Sequence, residues 1–390
     1  MSRPQRLVVL ALIASCCFGA VAAHAAAPAN LLLNPGFEES LPDHPWMPSA
    51  WDTSQAGLPS VFFGRDTLLA HTGHYAVSVA NLSQLVPMGH NWSQRILVDP
   101  KLWGKDLVFS VWTKTNSLDG RAYILLQAYR DSVSKMAAVW GVDRDSALDR
   151  LNMQRIDDDL FTLGWSRNSF SEPQTEWVRR EVRVFCPPSV NVVFVRIGLL
   201  GTGQLLIDDA SLTAVPALPA KAPKPGENML VDAGFEGDCN AWELSMPPFT
   251  GTKIVRDEST AHSGQASILM VSGIGEFVLA RTGVCQVFCN RALAGKRVRL
   301  SGWVRTDSLQ SRAYLKIYAH TMTGVKQIPP AAQFSNTVPW TKTSLEMDLP
   351  DDTFAVWAWF CYDGPRTGVV RYDDCSFEVV GPSKAERATR

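Results

Sequence analysis

Short runs of Val, Ile, Phe and Trp alternate with polar residues along most of the chain. Gly, Pro, Asn or Asp interrupt these runs about every 8–12 residues, which is typical of the strands of a sandwich or barrel. Alternation with a period of two puts successive side chains on opposite faces of a strand. Helical spacing occurs only around 146–154, so the pattern predicts an all-β protein with one short helical segment.

The chain contains two copies of one segment, because five motifs recur in the same order. The pairs are Asn30–Glu38 with Asn228–Glu236, His71–Gly73 with His262–Gly264, Ser117–Tyr123 with Ser308–Tyr314, Trp177 with Trp340, and Ile207–Leu212 with Tyr372–Phe377. The offsets between paired motifs show 28 extra residues in the first copy between Ser117 and Trp177. We therefore expect two domains of the same fold, the first with an insert.

The repeats and the composition together predict the boundaries of the domains. The first spans 30–215 with its insert at 130–176, and the second spans 228–380. Residues 216–227 between them are rich in proline and are expected to form an extended linker. A charged tail follows at 381–390. Each domain is long enough to enclose its own core.

Residues 1–25 have the pattern of an export signal. Arg3 and Arg6 precede an apolar stretch, and small residues at Ala23 and Ala25 suit cleavage after Ala25. The alternative is a lipoprotein signal, because the residues before Cys16 resemble a bacterial lipobox and Cys16 would then carry the lipid. Both alternatives predict a secreted, periplasmic or cell-surface protein. No later stretch is apolar and long enough to predict a transmembrane helix.

Charge and motifs exclude several function classes. The 37 Lys and Arg nearly balance 38 Asp and Glu, so no basic surface for nucleic acid is expected. The sequence has no nucleophile-elbow, zinc-protease or phosphate-loop motif, and the acidic residues of the insert are expected to be solvated. Six cysteines follow the signal segment, and we expect them to form structural disulfides or to be buried thiols. The sequence thus predicts no catalytic site.

The repeated motifs identify a family resemblance. The opening Asn-Leu-Leu-x-Asn-x-Gly-Phe-Glu of the first copy recurs in the second as Asn-Met-Leu-x-Asp-x-Gly-Phe-Glu, and the His-x-Gly turn, the Ser-x-Trp strand and the closing Asp-Asp-x-Ser occur in both copies. Each copy resembles a carbohydrate-binding module of the jelly-roll, galactose-binding-like group found in tandem on bacterial cellulases and xylanases. The resemblance covers nearly all of the mature chain and implies two tandem β-sandwich domains. It says less about the ligand, because one fold serves many functions.

The resemblance also implies a structural calcium ion in each copy. Carboxylates and turn carbonyls supply the oxygen ligands that Ca²⁺ prefers. The matching positions are Glu38, Asp208 and Asp209 in the first copy and Glu236, Asp373 and Asp374 in the second. Alternation points only one Asp of each pair inward, and the sequence does not say which. The alternative is that these acids cap turns and bind no ion.

Alternation groups aromatic and polar side chains on the strand faces turned away from the core. Flat rings stack on the apolar faces of sugars, and basic or amide groups donate to sugar hydroxyls. The candidate sugar-binding residues are Trp112, Tyr123, Gln127 and Arg196 in the first copy and Trp303, Arg305, Tyr314, Tyr318, Trp357 and Trp359 in the second. The alternative is that these faces pack against each other or form a further layer of core.

The sequence therefore predicts a monomeric, non-catalytic protein that binds a polysaccharide or glycan. The insert, which includes Trp140 and Trp165, would either wall a cleft of the first copy into a pocket for a chain end or cover the first copy's face and abolish binding there. A structural or adhesive envelope protein without a sugar site is the competing hypothesis. A sugar-acting enzyme that uses the insert is a third.

Overall fold

The computed structural model describes residues 29–53, 59–84, 89–131, 141, 160–245, 253–271, 282–363 and 367–382. The predicted signal segment and the predicted helical segment at 146–154 lie outside these ranges. Within them the chain forms strands, with two short 3₁₀ turns at Pro100–Leu102 and Arg291–Leu293. In the part of the chain that is described, no helix is long and apolar enough to cross a membrane.

The first copy has ten strands. They are β1 Ser40–Leu41, β2 His44–Pro48, β3 Asp52–Thr53, β4 Val61–Asp66, β5 Ala76–Asn81, β6 His90–Leu97, β7 Lys105–Asp131, β8 Leu160–Phe170, β9 Val178–Phe185 and β10 Val192–Pro216. The two long strands β7 and β10 pair with each other antiparallel along nearly their whole length. Because they bend near Ser117 and Gly201, each contributes its two halves to two different layers.

The second copy has nine strands. They are β11 Glu243–Ser245, β12 Lys253–Asp257, β13 Ser267–Val271, β14 Thr282–Phe288, β15 Lys296–Thr321, β16 Gly324–Gln327, β17 Phe334–Asp348, β18 Thr353–Asp363 and β19 Val369–Pro382. Strands β18 and β19 take the place of the two halves of β10. Strand β16, four residues long, occupies the position that the eleven-residue β8 has in the first copy.

Each copy is a sandwich of two layers. In the first copy, one layer runs β8–β7–β10–β6–β3 and the other β9–β7–β10–β5–β4. In the second copy, one layer runs β11–β14–β18–β15–β16 and the other β17–β15–β19–β13–β12. The predicted all-β fold of two tandem sandwiches is therefore confirmed.

The cores lie between the layers and follow the predicted alternation. Phe109, Ile124 and Ile197 are fully buried in the first core, and Ile317 and Phe360 are fully buried in the second. Their neighbours along each strand point to the outer faces. Burying a large apolar side chain stabilises a fold by about 1.5–3 kcal/mol, so these alternating positions fix the register of each strand.

An asparagine at the start of each copy joins its first and last segments. The Asn30 side chain accepts hydrogen bonds from the backbone N–H groups of Leu32 and Leu212, at 3.2 and 2.9 Å, and donates to the Ala210 carbonyl. Asn228 makes the equivalent three bonds in the second copy. The motif that opens each copy is thus explained by a bond across the whole domain.

Candidate functional site

A buried aspartate holds the His-x-Gly turn of each copy against the last strand. In the first copy Asp208 is fully buried, and its Oδ2 accepts hydrogen bonds from the N–H groups of His71 and Thr72 at 2.8 and 3.1 Å. Asp209, whose side chain is partly exposed, contacts the His71 ring and the Thr72 hydroxyl. The inward member of the pair, which the sequence left undecided, is therefore Asp208.

The glutamate of the opening motif completes this turn. Glu38 Oε1 accepts hydrogen bonds from the N–H groups of His74 and Tyr75, at 2.9 and 3.1 Å. A Cβ at Gly73, whose φ is +65°, would lie 2.2 Å from the same oxygen. Glycine is therefore needed here both for its backbone conformation and for the close approach of the carboxylate.

The second copy repeats the arrangement with the same geometry. Asp373 is fully buried and accepts from the N–H groups of His262 and Ser263, at 2.7 and 3.1 Å. Glu236 accepts from Gln265, and Asp374 contacts the His262 ring. Burial raises the pKa of both buried aspartates, and that of Asp208 reaches about 6.

These acids do not form a metal cluster in the structure. Among the described residues, no three His, Cys, Asp or Glu side chains are grouped so that they could hold a metal ion. Both oxygens of Asp208 accept backbone N–H bonds, and those of Asp209 contact Thr72 and His71. These carboxylate oxygens are used as hydrogen-bond acceptors that hold the turn. The calcium ion in each copy stays a prediction.

Two of the predicted sugar-binding tryptophans stack on these turns. Trp112 lies parallel to the His71 ring with 4.1 Å between centroids, and Trp303 lies on His262 at 3.7 Å. The edges of Trp177 and Trp340 contact the same histidines. Trp112, Trp303 and the nearby Arg305 belong to the layer that contains β9 or β17. The structure therefore does not bring these three together with the other candidates.

The other second-copy candidates share one face, on the layer that contains β11 and β16. Tyr314 pairs with Cys361, Lys316 with Trp359, and Tyr318 with Trp357. The two indoles lie parallel, with 5.9 Å between their centroids, and both are half-buried. We call this surface the second face. Burial lowers the pKa of its His320 to about 4, so this imidazole is neutral at pH 7.

The first-copy candidates share the equivalent face, which is largely covered. Tyr123 and Gln127 are buried, and Arg196 is half-buried with its Nε unpartnered among the described residues. The Arg167 guanidinium of β8 lies over the Tyr123 ring, 4.2 Å from its centroid. We call this surface the first face.

Strand β8 of the insert connects the two faces. Its Trp165 contacts Trp357 of the second face edge-on, with 5.0 Å between centroids. The Trp165 backbone N–H donates to Cys289 Sγ at 3.0 Å, and its indole N–H donates to Glu243 at 3.3 Å. Arg167 forms an ion pair with the same Glu243, and only 11% and 17% of these two side chains are exposed.

A second arginine strengthens this contact between the copies. Arg121 donates to the backbone carbonyls of Cys239 and Trp242, at 3.0 and 2.8 Å. Burial, and then the charge of Arg167, lower the pKa of Arg121 to about 10. We call Arg121, Trp165, Arg167 and Glu243 together the clamp. The sequence left open that the aromatic faces of the two copies pack against each other. The clamp shows that part of the two faces does so.

Two cavities lie near the faces. One of about 360 Å³ is on the second face beside Lys316 and is lined also by Gln327, Ile328, Pro329 and Pro330. Another of about 610 Å³ lies where β8 and β9 meet the loop at 231–241 of the second copy. Charged and amide groups line the larger cavity, and none of the described residues that line either cavity has an aromatic ring.

The six cysteines of the described region are free thiols. Five are buried and Cys289 is half-buried. Burial raises the pKa of Cys289 to about 12, so its sulfur accepts the Trp165 N–H bond as a neutral thiol. The prediction of disulfides or buried thiols is therefore resolved in favour of thiols.

Sequence reasoning named Trp165 as part of the insert but missed the charged residues of the clamp. Arg121, Arg167 and Glu243 are single charged residues in strands or turns, and none has a counterpart that makes the same contact in the other copy. The usable signal was the 28-residue excess of the first copy, which marks the insert that contains β8. Only the placement of one copy against the other shows which insert residues make contact.

Comparison with known proteins gives structural neighbours only. No family model and no curated protein matches the chain. Among solved structures, the N-terminal CBM22-1–CBM22-2 tandem domain of Paenibacillus barcinonensis Xyn10C aligns over 92% of this chain and 100% of its own, with 13% identity and a TM-score of 0.32. TmCBM61 in complex with β-1,4-galactotriose aligns over 48% and 99%, with 19% identity and a TM-score of 0.28.

A single xylan-binding domain is also similar, that of CBM22, with 16% identity over 40% of this chain and 98% of its own and a TM-score of 0.31. The neighbours named here are carbohydrate-binding modules. The two-sandwich fold itself is established by the strand pairing of this chain.

Replacing Asp208 by Asn is expected to destabilise the first copy. The amide has one acceptor oxygen in place of two, so either the N–H groups of His71 and Thr72 or that of Asp209 lose their acceptor, at a cost of about 1–3 kcal/mol. Urea unfolding measures this loss, and Asp209→Asn, at a partly exposed position, is the matched control. An unchanged midpoint for Asp208→Asn would contradict the role of this carboxylate.

Unfolding curves measured with calcium and with a chelator test the predicted ion. Only a bound ion would make the loss of stability in Asp208→Asn depend on calcium.

Replacing Glu243 by Ala is expected to weaken the clamp by about 3–5 kcal/mol, because Arg167 would keep a buried charge without its partner. Urea unfolding followed by tryptophan fluorescence measures the effect. The double variant Arg167→Met with Glu243→Met is expected to be more stable than Glu243→Ala alone. Glu181→Ala, which breaks an exposed pair with Arg179, is the control and should cost no more than about 1 kcal/mol. Equal effects of Glu243→Ala and Glu181→Ala would show that the clamp adds no stability.

Proposed function

We propose that the protein binds a glycan non-covalently, without catalysis, on the open part of the second face. The observation that supports this most is the half-buried Trp359 ring, which pairs across the strands with Lys316, a residue that lines the cavity of about 360 Å³. An aromatic ring beside hydrogen-bond donors suits a sugar, which has an apolar ring face and a rim of hydroxyls.

The polar groups around Trp359 match this chemistry. Lys316 Nζ lies 4.7 Å from the centre of the Tyr318 ring, which orients the ammonium group along the face. The exposed Gln327 pairs with Tyr318 on the edge strand β16 and offers both an amide donor and an acceptor. None of the described residues that line this cavity is a carboxylate, whereas glycoside hydrolysis ordinarily uses two. Binding is therefore proposed, and a reaction is not.

The predicted export signal is part of the same proposal. A protein delivered outside the cytoplasm meets polysaccharides of cell walls and of the surroundings, and residues 1–25 have the pattern of such a signal.

A structural protein without a sugar site is the second candidate. The observation that favours it is the clamp, through which one face covers part of the other. The two proposals differ in the role of Trp359. In a binding site its ring contacts the glycan, whereas in a structural protein it has no role beyond packing in the folded chain.

Trp359→Ala is expected to abolish the retardation of the protein in gels that contain its polysaccharide. The lost stacking and apolar contact correspond to at least a roughly tenfold weaker affinity, or about 1.4 kcal/mol. The panel consists of soluble xylan, mixed-linkage β-glucan, galactomannan and carboxymethyl cellulose. Trp46→Ala is the matched control, because Trp46 is 42% exposed and lies on β2, which forms a separate two-stranded sheet with β1.

Two outcomes would contradict the proposed function. One is that no polysaccharide retards the wild-type protein while its unfolding curve shows a folded chain. The other is that Trp359→Ala and Trp46→Ala are retarded equally. Either result would favour the structural protein.

A further inference from the structure

One row of side chains crosses the second face from strand to strand. Lys316 on β15 pairs with Trp359 on β18, Trp359 pairs with Cys285 on β14, and Cys285 pairs with Glu243 on β11. Residues directly opposite each other on antiparallel strands lie on the same side of the sheet. Neighbouring strands are about 4.8 Å apart, so the row is roughly 14 Å long.

The two ends of this row differ in exposure. Lys316 and Trp359 are half-buried, and Lys316 lines the cavity of about 360 Å³. Cys285 is fully buried, and the carboxylate of Glu243 is held by the Trp165 indole N–H and the Arg167 guanidinium. The row is therefore open toward β15 and β16 and closed toward β14 and β11.

The closing group is supplied by the other copy. Strand β8 lies in the insert of the first copy, and its Trp165 contacts Trp357, the neighbour of Trp359 on the second face. A sugar chain that continued past Trp359 along the row would meet Trp165 and the Arg167–Glu243 pair. Displacing Arg167 would leave a buried carboxylate without its partner, which is strongly unfavourable.

Among the described residues, the first face has no equivalent open row. The second copy has only the four-residue β16 where the first copy has β8, whose Trp165 pairs with the buried Gln127 and whose Arg167 lies over the ring of the buried Tyr123. The two copies are therefore not two equal sites on one polymer.

We propose that the second face recognises the end of a glycan chain, with the terminal sugars over Trp359 and Lys316 and the blind end formed by Trp165 and Arg167 of the first copy. This inference rests on the proposed function and adds the class of ligand: chain termini and short oligosaccharides, not the interior of a polymer. Trp165 is thus a specificity-determining residue for a site on the other copy.

The test compares the same polysaccharide before and after limited acid hydrolysis. Whichever polymer of the panel retards the protein is immobilised in the gel, and the intact and hydrolysed forms are added as soluble competitors at equal mass. Hydrolysis multiplies the chain ends without changing the mass of sugar. For a site that binds ends, the potency per mass rises by the same factor as the number of ends, which a reducing-end assay measures.

A potency per mass that stays constant or falls on hydrolysis would overturn the inference while leaving the proposed function intact. Absence of retardation on every polymer, together with no binding of the hydrolysed oligosaccharides in a direct titration, would overturn both. The two failures are therefore distinguishable.

Variants locate the blind end. Trp165→Ala is expected to keep retardation but to lose the gain in potency on hydrolysis, because an open row admits chain interiors. Trp46→Ala, an exposed tryptophan of the same copy, is expected to behave as wild type. Arg167→Met with Glu243→Met tests the same end without a buried charge left unpaired, should Trp165→Ala fold poorly. A Trp165→Ala protein that is folded and still prefers ends would overturn the assignment of the blind end to this side chain.

Discussion

The contact of Trp165 and Arg167 with Glu243 determines which parts of the two concave faces are open to solvent. Each copy alone is a sandwich with one outward face that carries aromatic and polar side chains. Once β8 of the first copy lies against β11, β14 and β18 of the second, Cys285 and most of the surroundings of Trp357 are enclosed. Trp359, Lys316 and Gln327 remain within reach of a ligand. The exposure of the proposed binding surface thus depends on the arrangement of the domains.

The two copies share their scaffold and differ in their faces. Both hold the His-x-Gly turn with a buried aspartate and a glutamate, and both stack a tryptophan on the turn histidine. These contacts join the beginning of each domain to its last strand, so they preserve the sandwich whatever lies on its outer face. The aromatic rings that looked like candidates at Trp112 and Trp303 are explained by this scaffold.

Periodicity was sufficient to group the face residues of single strands. Ala358 and Phe360 are buried in the core, whereas Trp357 and Trp359 point to the opposite side, as alternation predicts. Alternation failed to separate the layers, because β7 and β15 each bend and pass from one layer to the other. Residues of one long strand, such as Trp303 and Tyr314 of β15, therefore lie in different layers. A period of two carries no information about such a bend.

The sequence by itself determined the all-β class, the duplication and the residues that repeat in both copies, because each of these depends on local patterning or on a motif that occurs twice. It also marked the insert by its length. Only the tertiary structure decided that Asp208 is the inward carboxylate, that the cysteines are thiols and that β8 lies across the second face. These depend on contacts between residues far apart in the chain, such as Arg167 and Glu243, whose pairing leaves no periodic signal in the sequence.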